Sequence, residues 1–209
     1  VLRKFVIHIF LTIVFVQASF AQSKKDYLVT IHTTLGDLQM VLFDETPLHK
    51  ANFIAKAQLG KYNGTSFFLN KKDEFIVGGD SLSRDADPSN DGTYFTRNTI
   101  KKEIVTKYSN KFAFVGAWQL VGYKNPGASS DELMFYIITS KKGMPQLDGK
   151  YTVFGVIVSG LEVLDKINAS KVDANNHPID KIFMNVSLKQ VKKARIRKIL
   201  KKCVSLQNN

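Results

Sequence analysis

The chain predicts a mostly antiparallel β domain, closed on itself so that few strand edges are left free. Three observations lead there. Many short runs of β-forming residues alternate apolar and polar positions, with turn signals between them. Only two helical stretches interrupt them before the C-terminal end. Strands and helices do not alternate in the rhythm of a parallel βαβ sheet. A content of 44% hydrophobic and 23% charged residues is ordinary for a globular protein and excludes wholesale disorder.

The order of elements follows from local chemistry. Arg3 and Lys4, the apolar run Phe5 to Val16, and the small residues Ser19 and Ala21 read as a signal peptide over residues 1–21, cleaved before Gln22. The run is short for a membrane span, which needs about 20 apolar residues, and a retained membrane anchor is the alternative. Export, to a periplasm or to the outside, is therefore the expected localisation. Tyr27 to Thr33 and Leu38 to Phe43 flank the turn Leu35-Gly36-Asp37 and read as a hairpin. Thr46-Pro47 starts a helix, with Thr46 as cap and Pro47 at its first position. Leu48, Ala51, Ile54, Ala55 and Gln58 share one face of it, and Gly60 stops it.

Ser66 to Leu69, Phe75 to Val77, Lys111 to Val115, Leu133 to Thr139 and Tyr151 to Val158 read as further strands. Ser81 to Gly92 and Gly122 to Asp131 read as loops. Leu161 to Ile167 forms a second helix, and alternating Ile182, Met184, Val186 and Leu188 form a last strand. The domain is thus expected over residues 22–190, with a basic tail over 191–209. That tail is expected to be solvated or frayed rather than an amphipathic helix.

Four motifs carry a resemblance. Tyr62-Asn63-Gly64-Thr65-Ser66-Phe67-Phe68-Leu69 leads without a gap to Phe75-Ile76-Val77-Gly78-Gly79-Asp80. Thr34-Leu35-Gly36-Asp37-Leu38 precedes Thr46-Pro47 and Asn52-Phe53. Leu147-Asp148-Gly149-Lys150-Tyr151-Thr152-Val153-Phe154-Gly155 and Gly160 to Ile167 complete the set. Together, in this order, they resemble the signature of the cyclophilin-type peptidyl-prolyl isomerases. The resemblance covers nearly all of Tyr27 to Gln190. It implies an eight-stranded antiparallel barrel with a helix over each open end, a groove for prolyl peptides on the outer wall, and no cofactor.

In that family an Arg donates to the prolyl amide. Rotation about the X-Pro bond breaks amide resonance against a barrier of ~18–20 kcal/mol, and a catalyst must favour the twisted state. The family's His falls here on Phe68, its Arg on Leu69 and its Gln on Val77. The Gln-Phe-Phe run aligns with Met134-Phe135-Tyr136, and a Met-Ala-x-Ala run aligns with Phe114-Val115-Gly116-Ala117. Gln146 stands at the family's Trp, followed by Leu147, and Tyr151 stands at a His. A gapless alignment puts Glu74 at a pocket Phe, while a one-residue slip lets Phe75 fill it.

The expected peptide groove is therefore Phe68, Leu69, Phe75, Val77, Phe114, Met134, Tyr136, Gln146, Leu147 and Tyr151, with no catalytic residue in the Arg position. Loss of a hydrogen bond from a charged donor costs ~1.5–3 kcal/mol, roughly one to two decades of rate. Two readings follow: an exported isomerase of weak or lost activity acting on prolyl segments of envelope or secreted proteins, and a non-catalytic peptide-binding module.

Other chemistries are disfavoured. His32, His49 and His177 lack metal spacing, so no metal is expected. Asp85 to Gly92 imitates a calcium loop but has Asn90 where Gly is needed and Thr96 where Glu is needed. Gly122 to Asp131 lacks the pattern of a phosphate loop. The single Cys203 rules out an intrachain disulfide.

The net charge of +12 is unevenly placed: eight basic residues and no acid lie between Lys189 and Lys202. An anionic membrane surface is the expected partner of this segment, with Ile196, Ile199, Leu200 and Val204 able to insert. No nucleic-acid partner is expected for an exported protein.

Overall fold

The computed structural model describes residues 24–83, 98–119 and 129–207. The expected leader, the Asp85 to Gly92 segment and most of the Gly122 to Asp131 loop lie outside the described residues. Strands β1 (Lys25–Thr33) and β2 (Gly36–Leu42) form the expected hairpin, and β9 (Ile182–Lys192) pairs along the whole of β1. The remaining strands are β3 (Thr65–Lys71), β4 (Phe75–Gly78), β5 (Thr99–Ile100), β6 (Phe114–Gln119), β7 (Ser130–Ile138) and β8 (Val153–Ser159). The sheet runs β4-β3-β9-β1-β2-β8-β6-β7, and β4 pairs with β7 to close the ring. All pairings are antiparallel. Eight strands thus form a closed barrel, and the two-residue β5 adds to β7. Closure removes the edges that would otherwise template aggregation.

Period-2 alternation fills the interior. Val29 and Ile31 of β1, Leu38, Met40 and Leu42 of β2, and Phe135 and Ile137 of β7 belong to one interior cluster. Leu28 and Val41 point outward. Helix α1 (Pro47–Gln58) follows the end of β2, and α2 (Leu161–Asn168) packs Val163 against Gly36 at the start of β2. The two helices therefore sit at opposite ends of the barrel, and Phe53, Val163, Leu164 and Ile167 join the interior cluster. Gly160 ahead of α2 has φ +84°, and a Cβ there would lie 2.1 Å from the Asp37 carbonyl oxygen, so this turn needs glycine. Asn70, fully buried, donates from Nδ2 to the carbonyls of Ile167 (2.9 Å) and Asn168 (3.2 Å) and fastens the end of α2 to β3.

Two expectations about α1 are corrected. Its buried face is His49, Phe53 and Ala57, while Leu48 is half exposed. Phe53 stacks on Tyr62 at 4.7 Å, and His49 has polar partners that a buried leucine would not need. Thr46 precedes the helix but makes no side-chain cap; its hydroxyl donates to the Phe43 carbonyl instead. The cap comes from far along the chain. The backbone N–H groups of Leu48 and His49 each donate to a Glu103 carboxylate oxygen at 3.0 Å. His49 Nδ1 lies 2.7 Å from the same carboxylate, and Nε2 lies 3.0 Å from Ser130 Oγ.

Burial lowers the pKa of His49 below its ordinary value of 6.5, outweighing the opposing pull of Glu103. The unfolded chain therefore binds the extra proton first, and stability falls as pH drops below about 6.5. Urea midpoints measured between pH 7 and 5 are expected to show this decline, and His49→Gln is expected to flatten it. Glu103→Ala should cost about 1–2 kcal/mol at pH 7 through loss of the cap.

The C-terminal segment is not a frayed end. β9 runs on to Lys192, and α3 (Lys193–Gln207) packs back on the barrel wall with Ile196 only 3% exposed. Sequence patterning alone undervalued this helix because the apolar strip it covers is assembled from β1, β2, β8 and β9, distant in the chain.

Candidate functional site

A second apolar cluster lies on the outer wall where β3, β4, β6 and β7 meet the segment Met144 to Tyr151. β3 carries a bulge: Phe67 pairs with Gly78 and Leu69 pairs with Val77, which leaves Phe68 as the extra residue. Both Phe68 and Leu69 consequently join the outer cluster instead of alternating. Phe75 and Val77 come from β4, Tyr136 and Ile138 from β7, and Leu147 from a 3₁₀ turn (Pro145–Leu147). The slip at Glu74 is thereby resolved: Phe75 faces the groove, and Glu74 pairs with Lys71 at 2.8 Å.

Tyr136 is the centre of the site. Its ring meets Tyr151 edge-on at 5.8 Å and 89°, Phe75 at 6.2 Å and Trp118 at 6.4 Å. Its hydroxyl donates to Asn110 Oδ1 at 2.6 Å, and Asn110 donates from its backbone and side-chain nitrogens to Asp148 Oδ1 at 2.7 and 2.8 Å. Burial, then Tyr151 and Asp148, push the Tyr136 pKa well above the ordinary phenol range, so this hydroxyl keeps its proton. The network ties the groove floor to the turn that carries Leu147.

Seven of the ten expected groove residues come together: Phe68, Leu69, Phe75, Val77, Tyr136, Leu147 and Tyr151. Three do not. Phe114 faces another part of the wall, packing with Phe43, Val153 and Val156 beside α3, because β6 alternates and bends at a register shift. Met134 is buried and lines a small cavity with His49 and Asn52. Gln146 is exposed on the 3₁₀ turn.

Sequence reasoning missed Trp118, Ile138 and Met144. Trp118, the chain's single tryptophan, stands 5.8 Å from Phe75. Alternation along β6 was the available signal, since residues 114, 116 and 118 share the outer face. Leu69 itself is aliphatic, and the arginines among the described residues are Arg195 and Arg197, both exposed on α3. The wall can hold an apolar ring, but at Leu69 it offers no donor to a twisted amide.

The family model described as cyclophilin type peptidyl-prolyl cis-trans isomerase/CLD matches residues 28–188. The chain belongs to the cyclophilin-type peptidyl-prolyl isomerase family. Among curated cyclophilin relatives, peptidyl-prolyl cis-trans isomerase CYP18-1 of Arabidopsis thaliana is 32% identical over 158 residues, covering 75% of this chain and 92% of the relative. Peptidyl-prolyl cis-trans isomerase-like 3 of Mycosarcoma maydis is 33% identical over 160 residues, covering 75% of this chain and 89% of the relative. A Cryptosporidium parvum cyclophilin crystallised in the presence of the dipeptide Ala-Pro superposes with a TM-score of 0.65 at 27% identity, covering 78% of this chain and 98% of that one. The match to the cyclophilin family model ends at residue 188, before α3.

Proposed function

We propose that this cyclophilin is exported and binds prolyl segments of envelope or secreted proteins in the groove around Tyr136, with isomerase activity weak or lost. One observation carries the reading: Leu69 pairs with Val77 in the outer wall, so two positions that are polar in the family are aliphatic and cover one another. With both positions aliphatic no donor is left unpaired at Leu69 and Val77, whereas a partly dismantled polar network would leave one. The aromatic floor supports continued peptide binding, as does the Ala-Pro present with the Cryptosporidium relative. The export reading rests on the apolar run Phe5 to Val16 and the small residues after it. A non-catalytic binding module is the limiting form of this proposal. The basic C-terminal segment supplies a second partner, an anionic membrane surface.

Trp118 makes the groove directly observable. Titration with proline-containing peptides should shift or quench its emission saturably, and the same peptides with Ala for Pro should not. A flat titration would remove the peptide-binding reading. Cyclic-peptide inhibitors of the family should bind poorly, because Gln146 replaces a tryptophan and the arginine is missing. Tight inhibition would contradict the altered groove.

A further inference from the structure

We infer that the outer face of α3, joined by Lys24 and Lys25 from the start of β1, docks the protein on an anionic phospholipid bilayer by charge alone and points the prolyl groove away from it. The inference deepens the membrane-surface part of the proposed function and does not depend on whether the groove catalyses.

The docked side of the helix is already used. Ile196 packs with Leu28, Val41 and Val191, while Ile199, Leu200 and Cys203 are half-buried against the same wall. Ile196 is thus engaged by the barrel wall and not by a bilayer while α3 stays docked, and the side chain of Val204 lies outside the described residues. At 3.6 residues per turn Lys198 and Lys201 fall on the opposite side and Arg195 and Arg197 on its two flanks, and all four are exposed.

The fold enlarges this face beyond the tail. Lys25 pairs in register with Lys192, and the Lys193 N–H donates to the Lys24 carbonyl at 2.8 Å, so the first described residues lie beside the helix. Lys25 also donates from Nζ to Gln190 Oε1 at 3.3 Å, along the same edge. The nearby carboxylates are already engaged. Asp26 accepts from Lys50 at 2.7 Å, and Asp44 accepts from Lys50 at 2.7 Å and lies 2.9 Å from Lys193. Glu45 pairs with Lys107 and accepts from Tyr108. Among the described residues no ion pair engages Arg195, Arg197, Lys198 or Lys201, so the exposed arc is a positive field.

The bilayer is favoured as occupant by where the preceding chain joins. The apolar run that ends at Val16 reaches the described structure at Lys24, beside α3. Eight residues span at most about 26–29 Å. Before cleavage, a run inserted in a membrane would tether the protein on the side where Lys24 meets α3.

Barrel order sets the orientation. α3 rests on β1, β2, β8 and β9 and shares a cluster with Phe114 at the start of β6, while the groove is built on β3, β4, β7 and the Trp118 end of β6. In the closed ring of eight, β1 lies four places from β7 and β2 four places from β4, across the barrel. A protein held through α3 would present Tyr136 and Trp118 to the aqueous side.

The test uses the full chain and vesicles of phosphatidylcholine, with or without phosphatidylglycerol. Co-sedimentation is expected only with phosphatidylglycerol present and should vanish in 0.5 M NaCl, a concentration chosen on the basis of charge screening. Each neutralised exposed charge should weaken binding about fivefold. The variant Arg195→Glu/Arg197→Glu/Lys198→Glu/Lys201→Glu should abolish it while circular dichroism stays unchanged. Single Lys198→Gln and Lys201→Gln variants keep the test decisive if the multiple variant misfolds.

On bound protein, Trp118 should remain open to a water-soluble quencher and silent to bilayer-embedded quenchers. Equal binding to neutral vesicles that survives the charge variant would assign attachment to the apolar N-terminal segment and overturn the inference. Tighter binding to duplex DNA than to anionic vesicles at equal salt would overturn it too, as would quenching of Trp118 from the bilayer. Failure of the prolyl-peptide titration with vesicle binding intact would remove the groove reading and leave this one standing.

Discussion

On short X-Pro peptides the protein is expected to isomerise the prolyl bond ten to a hundred times more slowly than a family member that carries the arginine. The prolyl nitrogen becomes a hydrogen-bond acceptor only as the amide twists, so a donor placed there acts on the transition state more than on either planar state. Leu69 has no donor, and its neighbours across the wall are Val77 and Phe68. The missing charged hydrogen bond accounts for ~1.5–3 kcal/mol, which sets the predicted decades of rate. A protease-free assay read by NMR exchange would measure it, and a rate within tenfold of an ordinary relative would defeat the reading.

Leu69→Arg alone should recover only a minor part of the difference. The new guanidinium would sit against Val77, where the family supplies a Gln, and the hydroxyl of Tyr136 already donates to Asn110. A half-buried charge without partners pays desolvation that offsets its gain. Leu69→Arg with Val77→Gln should do better than either change alone.

Gly116→Ala should be among the most damaging single-methyl additions in the molecule. A Cβ at Gly116 would stand 2.0 Å from Cζ and 2.2 Å from Oη of Tyr136. Tyr136 is 1% exposed and held by Asn110, so its ring cannot yield without leaving the groove floor. Overpacking of this kind costs about 1–3 kcal/mol or more. Loss of the Tyr136–Asn110 hydrogen bond adds ~0.5–1.5 kcal/mol. The urea midpoint should drop accordingly, and Trp118 emission should shift because its aromatic neighbour has moved. Tyr136→Leu in the same chain should return part of the stability, giving a coupling energy by a double-mutant cycle. A variant as stable as the parent, with unchanged Trp118 emission, would show that the described packing of Tyr136 over Gly116 is wrong.

Much of the groove was legible before any coordinates. Phe67 to Asp80 kept the family's spacing, so Leu69 and Val77 could be placed as replacements for polar groups from the chain alone. Phe114 misled because alignment of a short run ignores the register shift in β6 that turns it towards α3. Trp118 escaped notice because its role depends on Phe75 and Tyr136, residues tens of positions away that meet it only after the barrel closes. Leu48 seemed a better core residue than His49 on hydrophobicity. The distant Glu103 and Ser130 reversed that order by giving a buried imidazole its partners.

The sequence by itself determined the strand pattern, the cyclophilin frame and the absence of a guanidinium at position 69, because these rest on local periodicity, turn chemistry and residue identity. Tertiary structure alone decided which side chains share the groove, what caps α1, and that the basic terminus is a docked helix on the far wall from Tyr136. Those outcomes depend on ring closure and on a bulge and register shifts between strands remote in the chain, and such contacts leave no periodic trace in either partner's own segment.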